Sequence, residues 1–179
     1  MEMLAFAQAP VQASRWAVLE SPFGDLLLYG DGEALTGLYF ARGRHVPPQD
    51  PSLCRDDLAF RAAREQLRAY FARDLTAFSL HLAPEGTAFQ RTVWGALREI
   101  PYGETESYGA LARRIGRPGA ARAVGRANAF NPISIVVPCH RVIGQDGSLT
   151  GYGGGMDVKE RLIALERGQL NWMRGSTTA

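Results

Sequence analysis

The hydrophobic and polar positions along the chain divide it into two halves with different expected structure. In the first half, three short apolar runs bounded by Pro, Gly and Asp turn residues predict strands over 16–20, 25–29 and 35–40. Apolar residues then recur near helical spacing, which predicts a helix over 56–72. Its apolar positions are Leu58, Ala62, Leu67, Tyr70 and Phe71. A last strand is expected over 78–82, so this half is predicted to be a small mixed α/β domain.

The second half begins with a strong helix signal. Pro84-Glu85-Gly86 is expected to be a linker, and Thr87 lies where a helix N-cap is favoured. An amphipathic stripe follows at Phe89, Val93, Trp94, Leu97 and Ile100. The predicted organisation is a domain over 1–83, a linker over 84–86, a second domain over 87–170 and a polar tail over 171–179.

Residues 107–128 have the pattern of a helix-turn-helix, although an ordinary helical hairpin fits it too. Ser107 can cap a helix over 108–115, a Gly-containing turn follows over 116–119, and a second helix is expected over 120–128. That second helix carries two arginines among small residues. Long polar side chains are needed to read base edges in the major groove. A helix with so few long side chains therefore favours a protein that reads the shape of the minor groove. A helix that is packed tightly inside the protein fits the same pattern.

Composition and charge narrow the class of protein. The chain has 179 residues, 46% of them hydrophobic, so it can bury a core and is not of the disordered class. No apolar run reaches the roughly 18 residues of a membrane span, and no secretory signal is expected. Two cysteines cannot form a disulfide framework, which favours a reduced, cytoplasmic setting. Between positions 89 and 143, eight arginines stand against three acids, consistent with a polyanion-facing surface or with a general arginine bias.

The candidate chemical centre is the pair Cys139 and His140. An apolar, β-branched run over 133–137 is predicted to be a buried strand that leads directly into this pair. His140 can supply the base that an activated thiol needs, directly or through a water. Equally, Cys139 can be one more small buried hydrophobic residue.

Two later segments complete the candidate site. A glycine-rich stretch over 144–155 predicts a loop around Tyr152. A helix is expected over 158–167, and Glu166 near its end can orient His140 or be solvated.

Several short motifs together resemble the O6-alkylguanine-DNA alkyltransferase family. The central one, Val137-Pro138-Cys139-His140-Arg141-Val142, is similar to the family's active-site signature. Seven further motifs keep the family's order and spacing: Phe89-Gln90, Val93-Trp94, Ile100-Pro101-Tyr102-Gly103, Ser107-Tyr108, AARAVG over 120–125, Asn131-Pro132 and Tyr152-Gly153-Gly154. The resemblance is close over 87–166. It is weak in the N-terminal half, where it rests on Gln66-Leu67 and Ala69-Tyr70-Phe71.

The resemblance implies an α/β (α+β) fold. A small ribonuclease H-like N-terminal α/β domain precedes a mostly helical domain with a winged-helix-like helix-turn-helix. The implied activity is repair of duplex DNA by flipping the damaged nucleotide and transferring its alkyl group irreversibly to a cysteine. The substrate is O6-alkylguanine and, to a lesser extent, O4-alkylthymine. Each molecule reacts once, without a cofactor, and is expected to act as a monomer, alone or cooperatively on DNA.

By position, the resemblance also implies the roles of individual residues. Cys139 is the alkyl acceptor, His140 is its base through a water, and Glu166 orients His140. Asn131 braces the active-site turn, while Tyr108 rotates a phosphate and donates to the flipped guanine.

The implied DNA contacts come from the helix that begins at residue 120. The DNA-binding residues are Ser107, Ala121, Arg122, Ala123, Gly125 and Arg126. Arg122 fills the gap left in the base stack, and the guanine pocket is lined by Val142, Tyr152 and Gly153.

Two residues depart from the family's pattern. Arg126 replaces a small residue, and Gly153 replaces a side chain that some members use to contact the substrate oxygen. Some members hold a structural zinc ion in the N-terminal half. Cys54, His45 and His81 are too few and poorly spaced for one, so no metal is expected.

Three other functions compete with alkyl transfer. One is a non-catalytic protein that marks alkylated bases for another pathway, which the presence of Cys139 disfavours. Another is a sequence-specific regulator, which the bare second helix disfavours. The third is a Cys-His hydrolase, which needs an oxyanion hole and turns over repeatedly.

Overall fold

Four strands near the start of the chain form one sheet. The computed structural model describes residues 6–7 and 9–169. The strands are β1 (Arg15–Leu19), β2 (Leu26–Gly30), β3 (Leu35–Phe40) and β4 (Cys54–Arg55). Their order is β3-β2-β1-β4, with β1 and β2 antiparallel, β2 and β3 antiparallel, and β4 parallel to β1. The first three confirm the predicted strands to within one residue at each end, because apolar residues alternate along them.

The helix of this domain, α1 (Arg61–Ala72), begins five residues later than predicted. The carboxylate of Asp56 accepts hydrogen bonds from the backbone N–H groups of Leu58 and Ala59, each at 3.1 Å. This turn competes with helix formation. Leu58 is therefore 90% exposed, and its placement on the apolar helix face was wrong. Leu67, by contrast, is fully buried in the core as predicted.

The strand expected over 78–82 is also wrong. Only Leu82 pairs, in an isolated bridge to Leu35. The side chain of Gln66 forms hydrogen bonds with both backbone groups of Ser79. It accepts from the N–H at 2.8 Å and donates to the carbonyl at 3.1 Å. Because a side chain satisfies this backbone, no strand partner is required there.

The second half is helical. Its helices are α2 (Ala88–Leu97), α3 (Tyr108–Arg114), α4 (Ala121–Ala129) and α5 (Met156–Glu166). The predicted cap of α2 is confirmed: Oγ1 of Thr87 accepts from Gln90 N–H at 3.2 Å, and Oε1 of Gln90 accepts from Thr87 N–H at 2.9 Å. Helix α5 begins two residues before the expected start. The small α/β unit followed by a mostly helical unit is confirmed, and the expected tail over 171–179 lies outside the described residues.

Two sets of backbone contacts support the segment that contains Cys139. Strands β5 (Glu106–Ser107) and β6 (Val142–Ile143) pair in parallel, so they join the start of α3 to the residues just after the cysteine. On the other side, Leu38 of β3 donates to the carbonyl of Pro132 at 2.8 Å and accepts from Ser134 N–H at 2.9 Å. The edge of the N-terminal sheet therefore supports the segment that leads to Cys139.

The run over 133–137 is buried as expected, but it is a turn and not a strand. Only Ile133 forms a bridge, to Leu38, and Ile135 has a φ of 70°. A β-branched residue rarely adopts this left-handed conformation, so the turn is strained by about 1–3 kcal/mol. Cys139 and His140 consequently lie in a short 3₁₀ helix, Cys139–Arg141, where they were expected to continue a strand.

Candidate active site and nucleic-acid interface

Cys139 is buried, and its sulfur accepts a hydrogen bond from one side chain. It is 4% exposed. The amide nitrogen Nδ2 of Asn131 donates to Sγ of Cys139 at 3.0 Å and to the carbonyl of Val137 at 2.8 Å. Oδ1 of Asn131 accepts from Ile133 N–H at 3.0 Å. A single asparagine therefore orders both the strained turn and the sulfur.

The environment of Cys139 keeps its thiol protonated. Burial raises the pKa of Cys139 to about 11, although the hydrogen bond from Asn131 and the charge of Lys159 oppose that rise. At neutral pH the thiolate is therefore only a very small fraction of the molecules. Nucleophilic chemistry at this sulfur needs a base close by.

His140 is fully buried and oriented by Glu166. Its Nε2 lies 2.7 Å from Oε1 of Glu166. Burial alone raises the pKa of Glu166, but the hydrogen bonds and charges of His140 and Arg141 outweigh it and hold that pKa well below its usual range. The ionised carboxylate accepts from Nε2, so Nδ1 carries the free lone pair. Among the described residues, Nδ1 has no hydrogen-bond partner.

Glu166 is the centre of a saturated buried network. Arg141 donates to both carboxylate oxygens at 2.9 Å, and the N–H of Gly103 donates to Oε2 at 3.0 Å. The hydroxyl of Tyr70 donates to Oε1 at 2.7 Å. The alternative of a solvated Glu166 is wrong, because its carboxylate is enclosed by partners from three segments of the chain.

Two residues of this region were missed by the sequence reasoning. Tyr70 reaches Glu166 across 96 positions. Lys159 is fully buried, and its Nζ donates to the carbonyls of Val142 at 2.6 Å and Thr150 at 2.8 Å. Burial lowers the pKa of Lys159 to about 8. The signals were weak: Tyr70 lies in one of the weakly matching motifs, and Lys159 is the only lysine of the sequence.

The helix-turn-helix pattern is observed as α3 and α4 joined by a turn. The hydroxyl of Ser107 caps α3 by accepting from Ala110 N–H at 3.2 Å. Gly116 and Gly119 in the turn have φ of 70° and 88°, which favours glycine.

Not all arginines of this region are free to meet a ligand. Arg141 is buried on Glu166, and Arg114 forms ion pairs with Glu99 and Glu106. Four others are exposed on or beside α3 and α4: Arg113, Arg117, Arg122 and Arg126. These four arginines therefore supply positive charge to the exposed surface of α3, α4 and the turn between them.

A cavity of about 450 Å³ opens between α4 and the loop over 144–155. The predicted site residues on its wall are Tyr108, Ala121, Arg122, Gly125, Tyr152 and Gly153. Thr150 donates to the hydroxyl of Tyr108 at 3.0 Å, which ties the loop to α3. Arg44 and His45 of the N-terminal domain line the cavity too, which no sequence signal indicated.

The remaining predicted residues lie around this cavity. Ala123 and Arg126 are exposed on α4, and the guanidinium carbon of Arg126 lies 6.0 Å from the ring centroid of Phe130. Val142 is fully buried in β6 and is not part of the cavity wall. Tyr152 connects the cavity to the buried centre, because its ring packs edge-on against His140 with centroids 6.4 Å apart.

Within 6–7 and 9–169, no three His, Cys, Asp or Glu side chains are grouped so as to hold a metal ion. In the same part of the chain, no helix has the length and apolar character needed to cross a membrane.

These features define a class: a two-domain protein in which a buried cysteine, histidine and glutamate lie beside an arginine-bearing helix-turn-helix. Two family models match the chain. The ribonuclease-like domain of 6-O-methylguanine DNA methyltransferase matches residues 14–84, and the DNA binding domain of the same family matches residues 88–168. The chain belongs to the 6-O-methylguanine DNA methyltransferase family.

Individual relatives agree with this assignment over most of the chain. The methylated-DNA--protein-cysteine methyltransferase of Methanosarcina acetivorans is 54% identical over 151 residues, which are 84% of this chain and 97% of that protein. The protein of the same name from Mycolicibacterium paratuberculosis is 54% identical over 152 residues, 85% of this chain and 92% of its own. The crystal structure of Mycobacterium tuberculosis OGT in complex with DNA is 50% identical. It has a TM-score of 0.81 and covers 87% of this chain and 94% of that chain.

Proposed function

We propose that the protein repairs alkylated DNA by transferring the alkyl group of O6-alkylguanine, and to a lesser extent of O4-alkylthymine, to Sγ of Cys139. The observation that carries the proposal is the buried cysteine held at 3.0 Å by Asn131, next to a histidine whose Nδ1 lone pair is free. Membership in the methyltransferase family supports it, as does the high identity to relatives named for transfer to a protein cysteine.

The reaction begins with loss of the Cys139 proton. His140 takes this proton on Nδ1 through a bridging water, and Glu166 stabilises the resulting imidazolium through Nε2. Sγ forms a bond to the alkyl carbon while the bond from that carbon to guanine O6 breaks. The electron pair stays on guanine, which takes up one proton from water, aided by a hydrogen bond from Tyr108. Protonated His140 returns its proton to water, so the number of protons is unchanged overall. The product is a thioether, so each molecule reacts once.

Access to the alkyl carbon requires extrusion of the nucleotide, because O6 is enclosed in the duplex. Helix α4 enters the minor groove, where its small residues Ala121, Ala123 and Gly125 allow close approach. Arg122 fills the gap in the base stack, and Arg126 and the cap residue Ser107 contact the backbone. The exposure of both arginines and the cavity beside α4 support this arrangement.

The extruded guanine enters between α4 and the loop over 144–155. Tyr152 and Gly153 line its pocket, with Val142 behind them, and Tyr108 also rotates the phosphate. No cofactor takes part. The protein acts as a monomer on double-stranded DNA, alone or cooperatively, in the cytoplasm.

The test is intact and peptide mass spectrometry after incubation with excess duplex containing one O6-methylguanine. We expect one added methyl group, on the peptide containing Cys139, and saturation at one per protein. Cys139→Ser is expected to gain no methyl group while still binding DNA. Cys54→Ser is the matched control, because Cys54 is exposed and unpaired, and it is expected to react like the wild type.

Each competing function predicts a different result. An unchanged mass with lesion-containing DNA still bound indicates a protein that marks lesions. Equal methylation of Cys139→Ser contradicts the assigned acceptor, and more than one product per molecule indicates a hydrolase.

A further inference from the structure

The hydroxyl of Tyr70 links the N-terminal domain to the acid of the active site. Tyr70 lies on α1, is 0% exposed, and donates to Oε1 of Glu166 at 2.7 Å. Among the described residues, it is the only donor to this carboxylate from the stretch that the ribonuclease-like model matches. The contact joins residues 96 positions apart.

The position of Tyr70 is fixed by its own domain. Its ring packs against Phe71 and Phe78 with centroids 5.4 and 5.3 Å away, and edge-on against Tyr102 at 6.0 Å. A ring enclosed in this way cannot turn its hydroxyl elsewhere without moving the core. The donor therefore reaches Glu166 in one orientation.

Tyr70 and His140 share one acceptor atom. Oε1 of Glu166 accepts from the Tyr70 hydroxyl at 2.7 Å, from His140 Nε2 at 2.7 Å and from Arg141 Nη2 at 2.9 Å. A carboxylate oxygen offers about two lone-pair directions, so three donors compete for it. Each donor withdraws negative charge that otherwise stabilises a positive imidazole.

We propose that Tyr70 is a positioning residue for alkyl transfer: through its hydroxyl on Oε1 of Glu166, the N-terminal domain fixes the orientation of His140 and restrains its basicity. The proposal rests on the proposed function, in which His140 is the base for Cys139. It gives the N-terminal domain, which holds none of the reacting atoms, a direct part in the reaction.

The consequence can be measured as a pH dependence. Removing the hydroxyl leaves Oε1 more negative, so protonated His140 becomes more stable and the imidazole stays charged to higher pH. A charged His140 cannot accept the Cys139 proton, so the acid limb of the rate profile moves upward. Other titratable or charged groups facing His140 and Glu166 come from the loop before β5, the 3₁₀ helix, the glycine-rich loop and α5. They are Tyr102, Cys139, Arg141, Tyr152 and Lys159.

The experiment compares wild type, Tyr70→Phe and Tyr29→Phe in single-turnover methyl transfer from O6-methylguanine duplex between pH 5 and 9. Tyr70→Phe keeps the ring contacts and removes only the oxygen. We expect its acid limb to move up by about half to one pH unit, since a hydrogen bond to a charged group is one of the strong kind. Tyr29→Phe also removes the hydroxyl of a largely buried tyrosine, but its ring contacts Tyr39 in the sheet, and its profile is expected to match the wild type.

Urea unfolding measures whether Tyr70→Phe destabilises the fold, and NMR of the imidazole ring measures the titration of His140. Together they separate a positioning role of Tyr70 from a loss of stability. In a Cys139→Ser background, the ring resonances of His140 are expected to titrate at higher pH when Tyr70 is Phe. A rate that falls equally at every pH, with an unmoved acid limb and unmoved His140 titration, would overturn the inference. If wild type itself transfers no methyl group, the proposed function fails first. A reactive wild type with an unshifted Tyr70→Phe refutes only the role of Tyr70.

Discussion

Replacing Glu166 by Gln tests the buried network at its centre. The change keeps the shape of the side chain but removes the charge that five hydrogen bonds converge on. Arg141, 6% exposed, then keeps a buried positive charge with the carbonyl of Ile100 as its remaining strong acceptor. Leaving one member of a buried ion pair without its partner costs about 3–5 kcal/mol. That is a large part of the roughly 5–15 kcal/mol that stabilises a folded protein.

Urea unfolding at pH 7 measures this loss. With a slope of roughly 2 kcal/mol/M, the midpoint of Glu166→Gln is expected to fall by about 1.5–2.5 M. The control is Glu65→Gln, which breaks only the exposed pair of Glu65 with Arg61 on α1. An ion pair this exposed contributes little to stability, so the midpoint of Glu65→Gln is expected to move by less than about half a molar. Similar small shifts in both variants would refute the reasoning.

The same charge gives a signed pH dependence. Because the folded pKa of Glu166 lies below its usual value, its contribution is complete above the unfolded pKa of about 4.3 and disappears as pH falls toward the folded value. The difference in unfolding free energy between wild type and Glu166→Gln is therefore expected to shrink below about pH 4. A difference that stays constant down to pH 2 contradicts an ionised, hydrogen-bonded Glu166.

Two further predictions concern the DNA face and the core. Arg122→Ala is expected to slow methyl transfer from duplex about tenfold or more, but to spare transfer from the free methylated base, because only the duplex requires extrusion. Equal slowing of both substrates would contradict the role of Arg122 in filling the gap in the base stack. Leu67→Ala is expected to lower the unfolding free energy by about 2–5 kcal/mol, since Leu67 is fully buried. Leu58→Ala, at a position 90% exposed, is expected to change it by less than about 0.5 kcal/mol, and a comparable loss in both would contradict the corrected start of α1.

Local patterns predict the elements whose stability is local. The strand over 35–40 and the Thr87 cap are found where expected, because alternation and a capping side chain act within a few residues. The run over 133–137 shows the limit. A buried turn and a buried strand both need apolar side chains, so composition does not separate them. The side chain of Asn131 and the positive φ of Ile135 make it a turn, and both depend on the surrounding structure.

The candidate site likewise contains residues that the sequence predicts and residues that it does not. Cys139 and His140 are adjacent, so their chemistry is readable from a short motif. The expected contact between Glu166 and His140 is observed, although an acid at a helix end is more often solvated and its position alone favoured that alternative. Tyr70 and Lys159 act over 96 and 17 positions, and their contacts exist only once the sheet, α1 and α5 have packed together. Neither residue type nor spacing carries that information.

The burial of Lys159 has a practical consequence for chemical labelling. It is the only lysine of the sequence, and its ammonium is enclosed by the carbonyls that it binds. The folded protein therefore presents no lysine amine to a dye, a cross-linker or a cellular conjugation enzyme. Acylation of Lys159 requires the loop over 144–155 to open, so the rate at which the peptide containing Lys159 is acylated measures that opening. Comparing this rate before and after alkylation of Cys139 shows whether the added alkyl group changes the opening of the loop.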